Sequence, residues 1–113
     1  VTAVGKLMLG AGGDEAIRAY AERTNLPAYT RNTLSDLAPL REDCLQSIER
    51  GYALDNEEAE LDVGCIGVLL YESTGRVAGG LSISAPIERR RLDWIDDLQQ
   101  AGRAISGQLG WRH

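Results

Sequence analysis

The stretch Gly64 to Pro86, GCIGVLLYESTGRVAGGLSISAP, constrains this chain most. It alternates with period two on both sides of a turn candidate at Ser73-Thr74-Gly75, which is the pattern of a β-hairpin with two unlike faces. One face carries Ile66, Val68, Leu70, Val77, Leu81 and Ile83, large aliphatic side chains that need a helix layer or another sheet to cover them. The other carries Cys65, Gly67, Leu69, Ala78, Gly80, Ser82 and Ser84, mostly small, with a thiol and two hydroxyls gathered at the end away from the turn.

The register depends on the turn. A two-residue turn at Ser73-Thr74, or a four-residue loop from Glu72 to Gly75, sets Cys65 opposite Ser82, whereas a turn at Thr74-Gly75 sets it opposite Ser84. In either case thiol and hydroxyl face each other with Cβ atoms roughly 4.5 to 5.5 Å apart. An odd loop with a bulge is expected to spoil this pairing. A sheet face of Gly, Ala, Ser and Cys leaves space for a helix packed unusually close or for a small ligand, and both readings stand. The hydroxyls and thiol favour the ligand, because buried under a helix they would need partners.

Length and charge bound the rest. The chain has 113 residues, enough for one domain with one core. No apolar run approaches the roughly 18 residues of a membrane span, and no signal-peptide pattern is present. The net charge of −5 argues against this segment gripping a phosphate backbone. Cys44 and Cys65 fall in unlike contexts without CxxC or Cys/His spacing, as in a reduced, cytoplasmic protein with no structural disulfide. The first residue is Val1, so the chain reads as part of a longer one.

Along the chain, Thr2 to Leu9 predicts a short helix capped by Thr2, with Val4, Leu7 and Met8 on one face and an end at Gly10. Gly5-Lys6 resembles a phosphate-binding loop only superficially, since the preceding glycine is absent. Gly10 to Gly13 reads as a turn, and Asp14 to Thr24 as a second helix with Ile17, Tyr20 and Ala21 inward. Asp36 is the N-cap candidate of a third helix with Pro39 in its first turn, an apolar stripe of Leu37, Leu40, Cys44, Leu45 and Ile48, and an end at Gly51. On that stripe Cys44 reads as a small core residue. Tyr52 to Leu54 predicts a short strand, Asp55-Asn56-Glu57-Glu58 a solvated turn, and Ala59 to Val63 a loop. Arg89-Arg90-Arg91 reads as a solvated loop or part of a subunit contact. A last helix runs from about Leu92 to Leu109, with Leu92, Ile95, Leu98, Ile105 and Leu109 on one side and Gly110 at its end.

Taken together, Thr2-Ala3-Val4-Gly5-Lys6, Thr30-Arg31-Asn32-Thr33, Gly51-Tyr52-Ala53-Leu54-Asp55-Asn56-Glu57-Glu58, Gly64-Cys65-Ile66 and Leu81-Ser82-Ile83-Ser84-Ala85-Pro86 resemble the C-terminal effector-binding domain of the IclR family of bacterial transcription regulators. The order and spacing match over the whole chain. The resemblance implies an α/β (α+β), GAF-like domain, an antiparallel sheet flanked by helices, that binds small organic acids and tunes a separate winged helix-turn-helix. It implies further that residues 1–113 are the C-terminal part of that domain, lacking its opening strands and the DNA-binding domain, so that a second copy or another segment completes the sheet. A homodimer or homotetramer, DNA contact only through the absent N-terminal domain, no membrane and no cofactor follow from it. One departure lies in Ile66 to Glu72, where many relatives have a proline near the position of Leu69 and an aspartate at that of Glu72.

Carried over residue by residue, the family's effector pocket falls on the backbone amides of Ala3 and Val4, the carboxylate of Asp55, the thiol of Cys65 and the hydroxyls of Ser82 and Ser84. The residues themselves agree, since amides at a helix start favour an anionic oxygen and hydroxyls and a thiol can bond a keto or hydroxy group. Two other functions compete with a non-catalytic sensor. Cys65 could be the nucleophile or redox centre of an enzyme beside Asp55, or Asp55, Cys65 and His113 could ligate zinc. The enzyme lacks a base, because His113 is the only histidine and the last residue, and the zinc set is too sparse for a closed site.

Overall fold

A computed structural model describes residues 2–58 and 60–111. Three helices and a three-stranded sheet follow one another as α1 (Ala3–Thr24), α2 (Leu37–Arg50), β1 (Ala53–Asn56), β2 (Val63–Tyr71), β3 (Val77–Pro86), a 3-10 turn (Ile87–Arg89) and α3 (Trp94–Gln108). The sheet is antiparallel in the order β1-β2-β3, so the α+β architecture expected from the hairpin and its flanking helices is the one observed.

The hairpin's two faces are separated as period two requires. Ile66 and Val68 are buried against Leu98 of α3, with Leu54, Leu81, Ile83, Trp94 and Ile95 around them. On the opposite face Ala53 and Leu69 pack against Ala3 and Leu7 of α1. The second half of α1 packs on α2 through Ile17, Leu40 and Cys44, all fully buried. The sheet is thus sandwiched, with α3 on its aliphatic side and α1, backed by α2, on its small-residue side.

Cys65 pairs with Ser84, one of the two registers expected, but by a route that had been expected to destroy it. Tyr71 pairs with Val77, leaving the odd loop Glu72 to Arg76, and the register then shifts so that Leu70 pairs with Gly79. Ala78 is the extra residue of this bulge. Loop and bulge each displace the pairing by one position, so their effects compensate and every side chain from Gly79 to Pro86 stays on its intended face. Val77 lies beyond the bulge, opposite Tyr71 and 37% exposed, and does not join the aliphatic face.

Several elements differ from the sequence expectation for identifiable reasons. The first helix does not stop at Gly10, because Gly10 is a contact point. A Cβ there would lie 2.5 Å from the Cys44 carbonyl oxygen and from Ile48 Cγ1, so only glycine lets α1 approach α2 so closely. The break comes at Gly13 alone, whose φ of 80° is easy for glycine and costly for other residues. The inward positions of the first turns are Ala3, Lys6, Leu7 and Gly10, while Met8 is 44% exposed. Asp36 occupies the N-cap of α2 without a side-chain capping bond. β1 begins later than expected and includes Asp55, paired with Cys65. β2 takes in Val63, and Ala59 of the expected loop lies outside the described residues. Leu92 and Leu109 flank α3 rather than belonging to it and are 55% and 45% exposed. The buried side of α3 is instead Leu98, Gly102 and Ser106, a small stripe that brings the helix down onto Val68.

Close packing on the small face is tightest at Gly80, where a Cβ would stand 2.3 Å from Val4 Cγ1. We expect Gly80→Ala to destabilise the domain by about 1–3 kcal/mol through overpacking, and Val4→Ala in the same chain to restore most of the loss. Urea unfolding of the single and double variants measures both.

Candidate functional site

The first turn of α1 is built by Thr2, whose Oγ1 accepts from the Gly5 amide at 3.1 Å while its carbonyl accepts from the Lys6 amide at 2.9 Å. Helix geometry leaves the amides of Ala3 and Val4 with no acceptor four residues back. Val4 wedges this helix start onto the sheet at Gly67 and Gly80. Toward the end of the hairpin the glycines give way to Ser82, opposite Gly67, and to the Cys65–Ser84 pair, and the sheet recedes from the helix. Thr2, Ala3, Val4, Cys65, Ser82 and Ser84 line the resulting cleft of about 160 Å³. Cys65 Sγ and Ser84 Oγ are 3.1 Å apart and hydrogen-bonded. The small face thus carries close helix packing at one end and an open polar cleft at the other.

Five of the six residues expected at the site line this one cleft. Asp55 does not line it; it stands one strand back, directly across from Cys65, and is 2% exposed. Its Oδ1 accepts from the Glu58 amide at 2.8 Å, and its backbone carbonyl accepts from Arg90 Nη1 at 3.1 Å. The stretch Asp55 to Glu58 is therefore not the solvated turn its charges suggested, since Glu58 is also buried, 8% exposed. Of the basic run, Arg90 is turned inward on Asp55 and Arg91 pairs with Asp93. His113 of the zinc alternative lies outside the described residues, and among these no three His, Cys, Asp or Glu side chains gather as a metal site.

What accounts for the burial around Asp55 is Lys6, fully buried one turn beyond the helix start. Its Nζ donates to the Leu54 carbonyl at 2.7 Å and pairs with Asp43 Oδ2 and Glu58 Oε1, each at 2.6 Å. Three acceptors match the three donors of an ammonium group. Glu58 Oε2 in turn accepts from the Asn56 amide at 3.0 Å. Thr30 Oγ1 donates to the Glu57 carbonyl at 2.6 Å, and Thr33 Oγ1 donates to the Glu58 carbonyl. The Gly-Lys pair is thus a structural anchor with no phosphate role. A signal for it was available: Lys6 falls at the spacing of the inward residues Ala3, Leu7 and Gly10.

The two thiols differ sharply. Burial, reinforced by the neighbouring Asp43 charge, pushes the fully buried Cys44 up to about 11, whereas Cys65 opens on the cleft.

A three-stranded antiparallel sheet between helical layers is the architecture of a GAF-like α+β domain. Residues 1–110 match the family model described as bacterial transcriptional regulator IclR C-terminal, and the chain belongs to that family. It is 34% identical over 114 residues to the HTH-type transcriptional regulator XynR of Escherichia coli K12, covering 97% of this chain and 45% of XynR. The crystal structure of the transcriptional regulator YaiJ superimposes with a TM-score of 0.90 at 31% identity, covering 96% of this chain and 64% of that one. The C-terminal domain of the E. coli transcriptional regulator KdgR does so with a TM-score of 0.86 at 32% identity, covering 97% and 70%. The chain spans less than half the length of the curated relatives XynR, YiaJ and KdgR, all of them transcriptional regulators rather than enzymes.

Two outcomes are expected from this arrangement. Lys6→Met strands the Glu58 carboxylate in the interior and should cost about 3–5 kcal/mol of stability, part of which a second change, Glu58→Gln, returns; denaturant unfolding measures the cycle. Because the folded state holds Cys44 as a neutral thiol up to about 11 against an ordinary value of 9.0, its contribution is complete below pH 9.0 and is lost as pH rises toward 11. Stability of the Cys44→Ala variant should fall less steeply across that window than wild type, in unfolding curves taken at stepped pH.

Proposed function

We propose that the cleft between the α1 start and the Cys65–Ser84 end of the hairpin is the effector site of a transcription regulator, and that it takes a small carboxylate with an adjacent keto or hydroxyl oxygen. The observation that carries this reading is that the first residues of α1, two serines and a thiol line one open cleft of about 160 Å³. The charged end of the ligand sits at the amides, where the helix N-terminus carries partial positive charge. The keto or hydroxyl oxygen bonds Ser82, Ser84 and Cys65. Asp55, directly across from Cys65, supports the polar end of the site from the neighbouring strand through the bond it accepts from the Glu58 amide.

In the whole protein the chain forms the C-terminal part of the effector-binding domain, with a winged helix-turn-helix elsewhere that contacts the operator. The naming of its relatives as HTH-type regulators supports this, as does the 70% coverage of the KdgR C-terminal domain. Ligand binding shifts the balance between two arrangements of a homodimer or homotetramer in the cytoplasm. Among the described residues the outer edge of β3 has no neighbouring strand, and a further segment or a second copy covers it.

A thermal-shift screen of small keto and hydroxy acids, followed by calorimetry with the best of them, tests the site. The Ser82→Ala, Ser84→Ala double variant should keep its fold by circular dichroism and bind more weakly, by about 0.5–1.5 kcal/mol per lost hydrogen bond and up to about 3 where the bond is to the charged group. Equal affinity in a folded double variant would place the ligand elsewhere.

A further inference from the structure

The hairpin has a second opening at its other end. β1 is much shorter than β2, and Ala53 is already opposite Gly67, so among the described residues Val68 to Tyr71 have no strand beside them on the β1 side. A cavity of about 200 Å³ occupies that edge between the two helical layers. Its floor is aliphatic, made by Leu7, Ile48, Val68 and Leu69. One wall is the pair of Tyr71 and Trp111, with ring centroids 4.9 Å apart. The mouth carries Gln99 and the exposed guanidinium of Arg103, which forms no ion pair among the described residues.

The exposed strand edge adds a polar element. Ser106 Oγ accepts from the Tyr71 amide at 2.9 Å, so the outward edge of β2 at Tyr71 is met by α3 instead of a strand. Backbone groups two residues apart point to the same edge, which turns the Leu69 amide and carbonyl toward the cavity as well. The Leu69 carbonyl oxygen would lie 3.8 Å from a Cβ on Gly102, where α3 comes down onto the strand. Arg103 is the only charged side chain lining the cavity, beside the mixed donors and acceptors of Gln99 and the Leu69 backbone, and the complement of its guanidinium is an anion.

We propose that this edge cavity is a second small-molecule site, separate from the cleft at Ser82 and Ser84, and that it takes a small aromatic monocarboxylate. An apolar cavity of about 150 Å³ suffices for a benzene ring, and the greater volume here leaves room for one carboxylate directed at Arg103. The aromatic wall suits a ring because stacked or tilted ring pairs add attraction beyond the area they bury. Leu7 belongs to the same helix as Ala3 and Val4, so occupancy of the two sites is read by one element.

Benzoate is the probe, benzamide its uncharged counterpart, and calorimetry on the full-length protein the measurement. Benzoate should bind wild type and the Ser82→Ala, Ser84→Ala variant equally. Its affinity should fall about tenfold or more in Arg103→Gln, an exposed position that leaves the fold intact, while that of benzamide stays unchanged. Gln99→Trp, which fills the cavity, should abolish both. Absence of benzoate binding to wild type would overturn the proposal, as would binding lost with the two serines but kept in Arg103→Gln. If Gln99→Trp fails to fold, the comparison of benzoate with benzamide in Arg103→Gln decides alone.

Discussion

The burial of a single ammonium group organises this domain. Lys6 brings a positive charge into the interior, where an unpaired ion would be untenable, and it is held there by acceptors from three separate segments: Asp43 of α2, Leu54 of β1 and Glu58 of the following turn. The Asp43 side chain is 28% exposed and that of Glu58 only 10%, so the pair with Glu58 is the one whose rupture strands a charge. Such a network gives less net stability than its short distances suggest, because desolvation offsets much of the attraction. Its stronger effect is positional. A bond two residues along the helix from Val4 ties the α1 start to α2, to β1 and to the turn that follows it.

The strip of sheet beneath α1 changes character along its length. At Gly67 and Gly80 it is bare backbone and the helix touches it; at Cys65, Ser82 and Ser84 it carries polar side chains and the helix stands clear. Close packing and an open polar cleft occupy adjacent segments of one surface. Asp55, hydrogen-bonded to the Glu58 amide, ties the polar end of the strip to the Lys6 network.

The parts of this architecture that rest on local periodicity were legible in the amino-acid order. The hairpin faces follow from alternation, α2 follows from Asp36, Pro39 and its apolar stripe, and the grouping of Cys65, Ser82 and Ser84 on one face follows from the same alternation, whereas Ala3 and Val4 entered the site through the family resemblance. The parts that were not legible depend on partners far along the chain. Gly10 looks like a helix end unless Cys44 and Ile48 are known to press on it. Asp55 and Glu58 look solvated unless Lys6 is known to point inward. The buried stripe of α3 was obscured because Gly102 and Ser106 carry no hydrophobic signal, while the leucines at either end, Leu92 and Leu109, do.

The bulge at Ala78 bears on how chains of this architecture can change in length. Loop and bulge together allow an odd connection to support the register that an even one would give, so Ala78 occupies a position the ladder does not count. Deleting it would leave Leu70 beside Gly79 and Cys65 beside Ser84. An insertion or deletion near the hairpin tip is therefore no guide to whether a pocket has been preserved. A one-residue change between Gly79 and Ser84, with no bulge to absorb it, would exchange the serines for the isoleucine between them and turn the polar end of the cleft into core.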